Sequence, residues 1–183
     1  GLILHHYCFA IVMLSAIETF VDALQENIGP SDVPQEIDLV LDVGMFGGAY
    51  MIGVVYYLYA LEKKGLTKVI RISGASVGSI VAVLYLTGRF EQAISITHSV
   101  FVDELKRTQD LHRFRDMIEK EVPWELERLK TTELHISYRD ASTRTLTTCC
   151  KFDKKEDLVE AIARSCHVPL MTANSVAEDD KYF

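Results

Sequence analysis

One pattern occurs twice in succession: a short run of branched aliphatic residues, a turn of small residues, then an apolar helix-forming stretch. In the first copy Ile37 to Val43 (IDLVLDV) reads as a buried strand and runs straight into Gly44-Met45-Phe46-Gly47-Gly48. Ala49 to Lys64 follows as a helix, ending in Lys63, Lys64 and Gly65, where a helix C-terminus favours cations and a C-cap glycine. In the second copy Lys68 to Ile72 (KVIRI) is the strand, Ser73 to Gly78 the turn, and Ser79 to Leu86 the helix, closed by Gly88. Consecutive strand–helix units predict parallel neighbouring strands joined by a right-handed crossover. The fold class is therefore α/β: a central, largely parallel sheet, helices on both faces, and turns that open at the strands' carboxyl ends.

The rest of the chain fits around that unit. Leu2 to Ile17 is almost wholly apolar, but it is shorter than the roughly 20 residues of a membrane span and is interrupted by His5 and His6. It lacks the basic flank and small-x-small cleavage site of a signal peptide, so it reads as a buried or membrane-surface helix. Ile17, Phe20, Val21, Leu24 and Ile28 would extend it on one face, and Gly29 to Pro34 stops it. Residues 1–30 thus form an apolar helical segment with its linker, ahead of a main domain at 37–183. Phe90 to Leu129 is helical and charged, broken at Pro123; Leu134 to Tyr138 and Thr145 to Phe152 form a hairpin. Asp153-Lys154-Lys155-Glu156 resembles a capping box opening a helix to about Cys166, with Leu158, Val159, Ile162 and Ala163 on its buried face and Pro169 as its limit. A first residue Gly1, not Met, and a last residue Phe183 suggest a piece of a longer protein.

Composition narrows the function classes. The chain is 49% hydrophobic and 25% charged with 10 Gly and 4 Pro, which suits one globular domain. Lys and Arg total 19 against 26 Asp and Glu, and no basic cluster follows a phosphate backbone, so nucleic-acid binding is disfavoured. Cys8, Cys149, Cys150 and Cys166 show neither CxxC nor zinc spacing, and the adjacent pair bridges only with strain. A reduced, intracellular protein with no metal site is expected.

The sharpest chemical signal is Gly74-Ala75-Ser76-Val77-Gly78, a GxSxG pentapeptide between a predicted strand and a predicted helix. In that context the serine sits on a tight elbow, the glycines admit close backbone, and free N–H groups with the helix dipole favour negative charge. The competing reading is an ordinary turn with Ser76 as an N-cap. The turn Gly44 to Gly48 should open at the same sheet edge, where its N–H groups could hold an oxyanion over Ser76. It could instead hold a phosphate, but no P-loop Lys-Ser/Thr follows and the dinucleotide glycine spacing is incomplete.

Three ordered blocks, DVGMFGGAYMIGV (Asp42 to Val54), GASVGS (Gly74 to Ser79) and ELHISYRDASTRTLTTCCKFDKKEDLVEAIARSCHVPL (Glu133 to Leu170), resemble the patatin-like phospholipase family, most closely its animal branch with adipose triglyceride lipase and adiponutrin. The resemblance covers about residues 37–183 and implies a three-layer α/β/α lipid acyl hydrolase with a Ser–Asp dyad, no histidine and no cofactor. Ser76 matches the nucleophile, Gly74 and Gly78 its elbow, and Gly44, Met45, Phe46, Gly47 and Gly48 the oxyanion loop, with Val77 as a further N–H donor; Tyr50 and Gly53 match the pattern beyond. It also implies a glycerolipid substrate, triacylglycerol or phospholipid, met in the cytoplasm or on a lipid-droplet or membrane surface.

Two departures stand out. The family's GxGxxG falls on Val43, Met45 and Gly48, so its first two glycines are replaced. The catalytic aspartate follows a short strand that Lys181-Tyr182-Phe183 resembles, which places it beyond Phe183; Asp179 and Asp180 precede that strand. The 183 residues alone are accordingly expected to be nearly inactive. The alternative function is a non-catalytic homologue that binds lipid or a protein partner. A rival Ser-Asp-His triad would use Asp140 or Asp153 with His167, although His167 ends a predicted helix and reads as packing. His98, His112 and His135 have no partner pattern. Cys149 and Cys150 alternate on a strand, and Tyr56, Tyr57 and Tyr59 read as helix packing rather than lipid contact.

Overall fold

A computed structural model of the chain describes residues 2–27, 34–44, 48–90, 114–121, 127–140 and 143–168. Its elements are α1 (Leu2–Asn27), β1 (Gln35–Leu41), α2 (Gly48–Lys63), β2 (Thr67–Ala75), α3 (Val77–Thr87), α4 (Phe114–Glu121), a 3₁₀ turn (Glu127–Lys130), β3 (Glu133–Arg139), β4 (Leu146–Cys149) and α5 (Lys155–Ser165). The sheet runs β1-β2-β3-β4. β1 pairs parallel with β2, β2 parallel with β3, and β3 antiparallel with β4, so both the parallel unit and the hairpin expected from sequence are present.

Strand boundaries differ from the sequence reading in ways that shape the turns. β1 starts at Gln35 because Gln35 and Glu36 pair with Thr67 and Lys68, with an ion pair between Glu36 and Lys68 at 3.1 Å. It ends before Asp42, whose own carboxylate accepts the Val43 N–H at 2.7 Å and diverts that amide from the ladder. β2 does not stop at Ile72. Ser73 and Gly74 pair with Val40 and Leu41, and Gly74 and Ala75 with Ile136 and Ser137, so the predicted six-residue turn shrinks to Ser76 alone.

α3 is apolar almost all round, and it is buried from Val77 to Leu86 apart from the half-buried Ile80, as such a helix must be. It packs with Val81, Ala82, Val83 and Tyr85 into a core that holds Val69 and Ile72 of β2, Leu134 and Ile136 of β3, and Leu158 and Ile162 of α5. The expected buried face of α5, Leu158, Val159, Ile162 and Ala163, is buried together with Ala161. Its start is shifted by one residue: Lys154 is the N-cap, and Asp157 accepts the Lys154 N–H at 3.2 Å. A lysine side chain has no acceptor to complete the reciprocal bond, so only half of a capping box forms.

α1 lies on α2 through Leu14 and Val21, and the Tyr56 hydroxyl donates to Glu18 at 2.7 Å. Phe20, expected on the same face, is 56% exposed. It neighbours Val21 in sequence, so it points roughly 100° away around the helix. No described helix is long and apolar enough to cross a membrane. The aromatic run on α2 packs as expected: Tyr56 stands edge-on to Phe90 at 4.9 Å and Tyr59 edge-on to Tyr85 at 6.1 Å. Of the charged stretch 90–129, residues 91–113 and 122–126 lie outside the described residues.

One polar cluster joins α2, α3 and the 3₁₀ turn. Arg128 pairs with Glu62, donates to the Tyr85 carbonyl at 3.3 Å and lies over the Tyr85 ring at 4.8 Å. Glu62 also accepts the Tyr85 hydroxyl at 2.7 Å and the Val69 N–H at 3.2 Å. Burial first, and then the Glu62 carboxylate, holds the Tyr85 phenol well above its ordinary range, so it remains a donor. Arg128→Met removes the cation from a largely enclosed carboxylate. We expect a loss of about 2 kcal/mol in urea unfolding, below the figure for a fully buried pair because both side chains keep some solvent contact. An unchanged midpoint would mean that the pair contributes nothing net.

Candidate active site

β2 ends at Ala75 and α3 begins at Val77, so one residue turns the chain. Ser76 does so at φ 53°, ψ −129°, a conformation that side chains avoid. Such a residue costs on the order of 1–3 kcal/mol and persists only where its surroundings over-determine it. Among described residues the other non-glycine at positive φ is Arg144, in the β3–β4 hairpin.

The surroundings are specific. A Cβ on Gly74 would run into the Gly78 carbonyl and stand 2.7 Å from Ser79 Cα. A Cβ on Gly78 would run into the Leu41 carbonyl and stand 2.8 Å from that of Asp42. Both glycines are therefore demanded by close backbone approach: Gly74 lets the strand pass the helix start, and Gly78 lets the helix start sit on the end of β1. The Ser76 carbonyl accepts the Ser79 N–H at 2.9 Å and the Ser79 hydroxyl at 2.6 Å. The Ser76 N–H donates to Ser165 Oγ at 2.7 Å, and Ser165 Oγ donates to the Ser137 carbonyl at 2.7 Å.

These facts separate the two readings of Ser76. An N-cap serine has extended backbone and bonds its hydroxyl to the helix amides. Ser76 does neither, since its φ is positive and its side chain makes no capping bond. Its backbone makes a one-residue elbow between strand and helix.

The other glycine turn meets this elbow. Gly48, the first residue of α2, is buried, and a Cβ there would stand 2.5 Å from Val77 Cγ2. Gly44 is exposed just beyond β1, as is Val43; Met45, Phe46 and Gly47 lie outside the described residues. α2 and α3 both begin at the sheet's carboxyl edge with no acidic residue in the first turn, so neither N-terminal dipole is offset by a carboxylate on its own helix. An anion forming there would be favoured.

The remaining candidates are dispersed. Cys166 is buried 3.8 Å from Ser79 Oγ, and burial pushes its thiol up to about 12, which leaves it protonated and inert. Cys149 is half-buried and Cys150 exposed, both as free thiols. His167 is buried with Nε2 bonded to nothing, so that nitrogen does not hold the Ser76 hydroxyl as a triad base would. Asp140 instead accepts the Thr143 N–H at 3.1 Å within the hairpin, and Asp153 is exposed before α5. His135 lies on β3 with Nε2 3.0 Å from Glu133. His98, His112, Asp179, Asp180 and Lys181 to Phe183 fall outside the described residues. Among the described residues, no His, Cys, Asp and Glu cluster could hold a metal ion. Sequence reasoning missed Ser165: a lone serine at a helix end carries no local signal, and its role arises from contacts with Ser76 and Ser137.

Comparison with known proteins agrees in extent with this architecture. The family model described as patatin-like phospholipase matches residues 39–183. The human protein "Patatin-like phospholipase domain-containing protein 4" is 28% identical over 144 residues, covering 73% of this chain and 56% of the relative. The chain thus spans about half the length of the curated relative it matches.

Proposed function

This chain belongs to the patatin-like phospholipase family, and we propose that the protein hydrolyses fatty-acyl esters of glycerolipids through a Ser76 acyl-enzyme. Ser76 Oγ attacks the ester carbonyl while an aspartate beyond Phe183 takes its proton, which typically contributes about 10²–10⁴-fold. The oxyanion accepts N–H groups from the turn Gly44 to Gly48 and from Val77, each such donor being worth roughly 10²–10³-fold. The C–O bond then breaks, the aspartic acid returns its proton to the departing alcohol, and the acyl group stays on Ser76. Water, deprotonated by the same aspartate, attacks the acyl carbonyl; the acyl–Oγ bond breaks, the aspartic acid returns the proton to Ser76 Oγ, and the fatty acid is freed. Neither metal nor organic cofactor enters these steps. The substrate class is triacylglycerol or phospholipid, met at a lipid-droplet or membrane surface from the cytoplasmic side.

The observation that carries this reading is the strained backbone of Ser76, held between two glycines and next to Gly48. Ordinary turns do not need such a conformation. A second reading, a lipid- or partner-binding homologue without catalysis, is favoured by Val43 and Met45 at two glycine positions of the oxyanion loop, since a Cβ there restricts how the amides can be aimed.

The test is labelling by a fluorophosphonate, which traps activated serines, of a polypeptide that continues past Phe183. Expected is stoichiometric modification of Ser76, slowed by about 10²–10⁴-fold when the proposed aspartate is replaced by asparagine. The 183-residue chain alone should label as slowly as that variant. Folded, unlabelled long protein would sink catalysis in favour of the second reading.

A further inference from the structure

We propose that Ser165, at the carboxyl end of α5, is a positioning residue that sets the backbone of Ser76; this rests on Ser76 being the nucleophile. A peptide unit is planar, so residue 76 has only two soft torsions, φ and ψ, between the plane before it and the plane after it. The plane after it is held by its carbonyl, which takes both the N–H and the hydroxyl of Ser79. The plane before it is held by its N–H, and the holder is Ser165 Oγ at 2.7 Å. With both planes tied, φ and ψ have no freedom, and the origin of the Ser76 side chain is fixed in space.

The direction of the tie follows from the groups. A backbone N–H can only donate and a carbonyl can only accept, so Ser165 gives its one proton to the Ser137 carbonyl and offers a lone pair to Ser76. An alanine can do neither. The bridge spans three elements: the last residue of α5, the elbow after β2, and the carboxyl-end half of β3, where Ser137 pairs with Ala75. It also engages the Ser76 N–H, which therefore faces Ser165 and leaves the Val77 amide as the elbow's donor to an oxyanion. Without Ser165 the plane before Ser76 can rotate toward ordinary φ, which moves Oγ, and a displacement of about 1 Å can cost roughly 10²-fold in rate.

Two readouts on the long polypeptide test this. The first is the fluorophosphonate rate per folded molecule, with kcat and KM for an ester substrate. Ser165→Ala should slow labelling about 10–100-fold and lower kcat with KM little changed, and Ser165→Thr, which keeps the oxygen, should restore most of it. A merely structural role would lower the melting temperature and leave the rate per folded molecule alone. The second readout needs no activity: hydrogen exchange at the Ser76 amide, protected in the parent and at least about tenfold faster in Ser165→Ala. Wild-type labelling with undiminished protection in Ser165→Ala would overturn the proposal. An unlabelled parent whose Ser76 amide is protected only when Ser165 is present would refute the nucleophile and uphold the tie. If Ser165→Ala does not fold, Ser165→Cys keeps the volume with a poor donor and acceptor; slowed labelling there supports the tie, and parental labelling refutes it.

Discussion

Ser76→Gly is expected to be more stable than the parent chain and wholly inert. At φ 53°, ψ −129° the serine carries strain that glycine does not feel. Relief of about 1–3 kcal/mol is partly offset by roughly 0.5–1 kcal/mol of added chain entropy in the unfolded state. The net gain is about 1 kcal/mol, or a melting temperature some 2–4 °C higher for a chain of this size. Ser76→Ala keeps the Cβ and the strain, so it should melt close to the parent. Both variants lose the nucleophile, and fluorophosphonate labelling and ester hydrolysis should fall by roughly 10⁴-fold or more. The comparison is informative because stability and activity move in opposite directions at one residue, as at sites where strain serves function. If Ser76→Gly melts below Ser76→Ala, no strain is stored at the elbow, and the main support for a nucleophile there is gone.

Gly78→Ala should damage both stability and activity. The new methyl meets the carbonyls of Leu41 and Asp42, which belong to the end of β1 and the residue after it and cannot swing aside as a side chain can. Overpacking costs about 1–3 kcal/mol and occasionally more, and the absence of a flexible neighbour places this case near 3 kcal/mol. The helix start would shift away from β1 and carry Val77 and Ser76 with it, so labelling of the molecules that still fold should slow about 10²-fold. Gly53→Ala is the matched control. It sits within α2 with nothing within 4 Å of where its Cβ would stand, and alanine there should be neutral or stabilising by up to about 1 kcal/mol. Equal losses at both positions would show that the damage is a general effect of losing glycine rather than the close approach at the elbow.

The contrast between those two glycines shows how far the sequence is legible. Gly53 and Gly78 both lie in the two successive strand-turn-helix units, yet only the backbone path of β1 reveals that Gly78 is sterically required. Among the described residues, strand and helix identities, the parallel pair, the hairpin and the location of the serine turn are readable because they depend on local features: runs of branched aliphatics, helical spacing, and glycines at element ends. The same locality explains the misreadings. Ser73 and Gly74 look like turn residues, so the local signal for β2 stops at Ile72, whereas pairing with β1 and β3 holds them in the sheet. Spacing puts Phe20 and Val21 on one face, and only the position of α2 shows that Val21 is covered while Phe20 lies at the rim, 56% exposed with its ring 6.1 Å from that of Tyr57.

Local sequence signals suffice for the α/β class, for the order of the described strands and helices, and for Ser76 as the residue between β2 and α3. Each of these follows from interactions between residues a few positions apart. Contacts between distant segments set the backbone state of that serine, the need for its two glycines, the meeting of Gly48 with Val77, and the bridge through Ser165. These depend on chain segments separated by tens of residues, and no local pattern encodes a hydrogen bond whose partners meet only after the sheet has formed.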